Sequence, residues 1–158
     1  MKKSLVHPLI FVSGILLISS AFMLPGNGGS TSGLQAQSSD TSQAIMTLID
    51  TRCFVCHNPD MKAENRLAPP MYMVRSHYYN DSISRENFIE QITVFALKPD
   101  LEKSVMPGAV RNFGLMPQTS FDENEVRLIA GYIYDTDLQS DAWFKSWKKF
   151  KKAQLKSN

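Results

Sequence analysis

No cysteine precedes Cys53, no acidic residue precedes Asp40, and no stretch alternates apolar and polar residues as a half-buried strand would. The first absence leaves a lipid-modified amino terminus unsupported. The third excludes a sheet and makes the fold class all-α. Charge of either sign is also in short supply: the net is +2, and residues 39–134 carry a slight acidic excess. With no basic stripe on the folded part, nucleic acid is excluded as a partner. Donors for a structural zinc are few, since outside residues 53–57 only His7 and His77 remain as soft nitrogen donors, and a tetrahedral site needs four ligands.

What remains fits one ordinary globular domain with extensions, at 43% hydrophobic and 20% charged residues over 158 positions. Lys2 and Lys3 precede an apolar run from Pro8 to Leu24, so residues 1–25 read as an export segment and the body of the protein belongs outside the cytoplasm, in the periplasm or on the outer face of the membrane. The run is long for a signal peptide and short for a spanning helix of about 20 residues. A cleaved signal peptide and a retained anchor that tethers the chain through residues 4–24 therefore both stay open. Residues 26–40, rich in Gly, Ser, Thr and Gln, read as a flexible linker.

Three helices are predicted in residues 41–135. Ala44, Ile45, Leu48 and Ile49 mark one face of a helix over Thr41–Arg52. Phe88, Ile92 and Phe95 mark a second over Arg85–Leu97, which Pro99 stops. The third has the clearest start: Asp122 as cap, Glu125 three residues on, and Phe121 placed to staple to Val126. It should run to Asp135, with Leu128, Ile129, Tyr132 and Ile133 buried and Gly131 open to close approach by another helix. Residues 58–82, with a short helix near Tyr72, and residues 98–120 read as loops.

The chemistry sits where the first helix ends. Cys53-Phe54-Val55-Cys56-His57 is the C-x-x-C-H pattern of covalent haem attachment and uses both cysteines of the chain. Two thiols three positions apart can add across two vinyl groups on one edge of a porphyrin, and the adjacent imidazole is then held over the ring to bind its iron. The alternatives are a disulfide, half of a zinc site and a thiol redox centre. The last expects a βαβ context that is missing here.

From about Ser42 to Asp135 the chain resembles the class I c-type cytochromes: helices wrapped around a single covalently bound haem. Ala68-Pro69-Pro70-Met71 resembles the family segment whose proline carbonyl accepts a hydrogen bond from the proximal imidazole, which implies that role for Pro69. Gly114-Leu115-Met116-Pro117 resembles the distal loop, which implies Met116 as the sulfur ligand opposite His57. Met106, also followed by a proline, is the rival. Leu128-Ile129-Ala130-Gly131-Tyr132 resembles the family's last helix, which implies that it crosses the helix before the motif near Gly131. Met71 and Met73 are expected to line the pocket or core, and His77 to be solvated or hydrogen bonded.

The resemblance implies a one-electron carrier, not an enzyme, with His57 and Met116 as iron ligands and other exported or membrane-bound redox proteins as partners. The alternatives are a haem subunit fixed in a membrane oxidoreductase, and an open-site haem that reacts with peroxide or a diatomic gas. Residues 136–158 extend beyond the family core. Trp143, Trp147 and Phe150 recur at helical spacing among Lys145, Lys148, Lys149, Lys151 and Lys152. The preferred reading is a helix whose aromatics pack back on the domain while its lysines face water. The other is a docking helix for an acidic partner or an anionic membrane.

Overall fold

The structure is a computed structural model that describes residues 32–157, with side chains described from 40 to 156. The export segment 1–25 and the start of the expected linker lie outside the described residues. Among those residues every regular element is helical, and none of the helices is long and apolar enough to cross a membrane.

The first helix, α1, runs Ser32–Arg52. It starts nine residues before the expected Thr41, so its opening turns take up sequence assigned above to the linker. Its buried face is Met46, Ile49 and Asp50, with Ile45 and Leu48 packed beside them. Ala44 is exposed, which turns the face away from the one the periodicity picked out. A single 3-10 turn at Ala63–Asn65 precedes α2, Met71–Tyr78, which starts directly after Pro69 and Pro70.

Helix α3, Arg85–Leu97, is capped by Ser84, whose hydroxyl accepts the Asn87 N–H at 3.2 Å. Helix α4, Pro107–Phe113, falls where the sequence predicts only loop. At seven residues it is too short to show a period. Its signals are punctuation: Pro107 in the first turn and Gly114 at the end, with φ at 81°. Helix α5, Glu123–Asp135, starts as expected, with the Asp122 carboxylate accepting the Glu125 N–H at 3.0 Å. Helix α6 spans Asp141–Ser157.

Helices α3 and α5 form the central pair. Phe88, Ile89 and Ile92 meet Ile129, Ala130 and Ile133 in the core. Charged pairs line the seam: Arg127 reaches Glu86 and Glu90, each at 2.7 Å, and Arg85 reaches Asp135 at 2.8 Å. Helix α1 meets α5 nearer its start, where Arg52 and Glu125 pair at 2.8 Å. The close approach at Gly131 belongs to α3 instead of α1: a Cβ there would lie 2.6 Å from Arg85 Nη2 and 3.6 Å from Ile89 Cδ1. Leu128, expected inside, is 62% exposed. It flanks the seam, and the buried positions are Val126, Ile129, Ala130, Gly131 and Ile133.

Helix α2 closes the core from a third side through the rings of Tyr78, Tyr79, Phe88 and Tyr134. From α2, Arg75 donates to the carbonyls of Ile133 at 2.9 Å and Tyr134 at 3.3 Å. Those carbonyls lie in the last turn of α5 and have no partner within their own helix.

Candidate functional site

At the end of α1 the chain continues as one tight turn instead of straightening. The N–H groups of Cys53 and Phe54 both donate to the Ile49 carbonyl, at 2.9 and 3.0 Å, and those of Cys56 and His57 both donate to the Cys53 carbonyl, at 3.2 and 2.8 Å. This winding sends the two residues between the cysteines in opposite directions. Phe54 is 2% exposed, whereas Val55 is 61% exposed.

Phe54 is held from behind by α6. The rings of Trp143 and Trp147 stack on each other and both meet Phe54 edge-on at 6.0 Å. The same helix grips α1 through Asp50, three residues before Cys53. Its carboxylate accepts Lys151 Nζ at 2.7 Å and Trp147 Nε1 at 3.5 Å. Lys148 pairs with Asp60. The aromatic side of the extension therefore packs back on the domain, as preferred above.

His57 is tied twice to the segment that follows. Its backbone carbonyl accepts the Met71 N–H at 3.1 Å, and its ring Nδ1 lies 2.7 Å from the Pro69 carbonyl. A carbonyl only accepts, so Nδ1 carries the proton and Nε2 is left with its lone pair. Burial holds the His57 pKa below its usual value, partly offset by the Pro69 bond, and so favours the neutral ring.

Cys53, Cys56, His57, Pro69, Met106 and Met116 all line one cavity of about 490 Å³, inside the range of cofactor sites. Most of its other walls are apolar: Ile92 and Phe95 from α3, Ala109, Val110 and Phe113 from α4, and Val126, Ile129 and Ile133 from α5. The two methionines enter from opposite ends of α4, and both line the cavity. Met71 lines it too, while Met73 does not. His77 is exposed, its Nδ1 is 2.8 Å from the Met73 carbonyl, and it lies away from the cavity.

Burial raises the Cys53 thiol to about 12, although neighbouring Arg52 pulls the other way. The thiols are not joined in a disulfide. Among the described residues no group of three or more His, Cys, Asp or Glu side chains is placed to hold a metal ion.

Several wall residues carried no signal in the sequence. Tyr78 is half of an aromatic pair in a short helix, the α4 side chains belong to an element too short to show a period, and the Arg52–Glu125 pair at the cavity edge joins residues 73 positions apart. Phe54, a large apolar residue between the two cysteines, is the position at which such backing could have been read from the sequence. Comparison with protein-family profiles, with curated proteins and with solved structures gives no match to this chain.

Proposed function

We propose that this chain is a monohaem c-type cytochrome of the class I type that transfers single electrons outside the cytoplasm. The observation that carries the reading is the His57 Nδ1 to Pro69 carbonyl contact at 2.7 Å, on the wall of a mostly apolar cavity that is also lined by both thiols and by the thioethers of Met71, Met106 and Met116. A neutral imidazole with its proton fixed at Nδ1 offers Nε2 as a ligand in a set orientation. The cavity's size, its apolar walls and its nitrogen and sulfur donors all suit a haem.

Cys53 and Cys56 would hold the group covalently: each thiol adds across a vinyl group, the sulfur bonding to one carbon and the hydrogen going to the other. His57 would be the proximal ligand and Met116 the distal one. Ile129, Ile133, Phe95 and Val126 would give the group an apolar surround. When bound, the haem supplies a reversible one-electron couple at its iron. A thioether ligand and an apolar shell both favour the reduced state and raise the potential. With His57 and Met116 both holding the iron, no position on it would be left for a substrate, so the proposed role is carriage between exported or membrane-bound redox proteins.

The test is an optical spectrum of the exported protein in both oxidation states, beside Met116→Ala and Met106→Ala. A six-coordinate low-spin spectrum with a near-infrared sulfur band is expected, lost in Met116→Ala and kept in Met106→Ala. The converse would give the ligand role to Met106. A high-spin spectrum that shifts with carbon monoxide would make the protein an open-site haem, and an exported chain without haem would defeat the proposal.

A further inference from the structure

Helix α6 has a second face that the packing leaves untouched. At 3.6 residues per turn, Lys145, Lys149, Lys152 and Lys156 fall within an arc of about 60°, roughly opposite the one that carries Trp143 and Trp147. All four are exposed. Among the described residues none of the four has an ion-pair partner, whereas Lys148 and Lys151 on the flanks are paired with Asp60 and Asp50. The row is about 16 Å long at 1.5 Å per residue. Asp141, in the first turn, is the one acidic residue of the helix.

From this geometry we infer that the outer face of α6 is an electrostatic docking surface for an anionic lipid bilayer. The inference does not depend on what fills the cavity. Three observations favour lipid over an acidic protein. The basic residues of α6 are all lysine, while protein interfaces favour arginine and aromatic side chains and are depleted in lysine. The tryptophans that would anchor a protein interface are committed to Phe54 and Asp50. A straight row of like charges with no apolar centre suits a flat, diffuse negative surface, where each lysine adds to the attraction separately.

Packing is what makes the row effective. An isolated amphipathic helix would insert its aromatic face in the bilayer. Here that face is occupied, so α6 presents its lysines as a rigid strip and contact stays superficial and sensitive to salt. No residue of α6 lines the cavity, so docking by this face leaves the cavity walls uncovered.

The test is co-sedimentation of the full exported protein with vesicles of equal parts phosphatidylglycerol and phosphatidylcholine, against vesicles of phosphatidylcholine alone. Comparing the parent with the α6 variant below on the same vesicles cancels any contribution of the amino-terminal segment, whose Lys2 and Lys3 would also favour anionic lipid. We expect at least a tenfold preference for the anionic vesicles, abolished by half-molar salt. The variant Lys145→Glu/Lys149→Glu/Lys152→Glu/Lys156→Glu should lose that preference, by about a hundredfold in partitioning, with an unchanged melting temperature. A control with the same change of charge elsewhere, Lys62→Glu/Lys98→Glu/Lys103→Glu/Arg111→Glu, should bind within a few-fold of the parent. Equal loss in both variants would mean that net charge alone is at work and would overturn the inference. So would a parent with no lipid preference, including one whose α6 variant slows electron exchange with an acidic redox protein.

Discussion

Tyr78 shows how burial at a single side chain becomes a dependence on pH. Its ring lines the cavity and packs against Phe88, and burial lifts its hydroxyl from the usual value near 10 to about 12. Below about pH 10 neither the folded nor the unfolded chain loses this proton, and the contribution to stability is complete. Between about 10 and 12 the unfolded chain ionises while the fold does not, so stability falls as pH rises. Tyr132 is shifted in the same direction, mainly by burial. Urea midpoints measured across that window should fall less steeply in Tyr78→Phe than in the parent. Parallel lines would remove Tyr78 from the effect.

Gly114 is the residue-scale counterpart in the backbone. With φ at 81° and ψ at 178°, it occupies a region that only glycine enters freely, and a Cβ there would meet nothing within 4 Å. Any cost of Gly114→Ala is therefore backbone strain alone, about 1–3 kcal/mol. The strain falls two residues before Met116, so under the proposed His57 and Met116 ligation the variant should also weaken the near-infrared sulfur band, which separates it from a general loss of stability.

At the scale of elements, α6 and the turn that leads into it are part of the core. Leu138, Trp143 and Trp147 are each 7% exposed or less. Deletion of residues 136–158 should cost well over the approximately 3–5 kcal/mol typical of truncating one buried tryptophan, and calorimetry should show a much lower melting temperature or no cooperative transition. A truncated protein as stable as the parent would contradict the packing described here.

The elements also show where the sequence is readable. Helices α3 and α5 were legible because Pro99 and Asp122 are local signals that act through their own backbone neighbours. The C-x-x-C-H motif was legible for the same reason. Helix α4 was hidden because seven residues make under two turns. The rotated face of α1 was hidden because Asp50, a carboxylate, belongs to the buried side, and only Lys151 and Trp147 from the far end of the chain make that burial tolerable. Gly131 was recognised as a close approach, but which helix comes near it is a tertiary fact.

For the whole molecule, the consequence lies in order of assembly. The bonds that seal α6 against α1 join residues 97 and 101 positions apart, among the most distant contacts in the fold. Contacts across such spans must overcome the largest loop-closure cost, so they are expected to form after the local helices and the α3–α5 pair. Until they form, Phe54 has no cover, and the turn that carries Cys53 and Cys56 stays accessible while the chain is still being completed. Trp147→Phe should therefore speed unfolding and leave the folding rate nearly unchanged in stopped-flow kinetics. A matching slowdown in folding would put the closure of α6 before the barrier. In the expected order, α6 acts as a latch, shutting behind the thiols once the helices that precede it have taken shape.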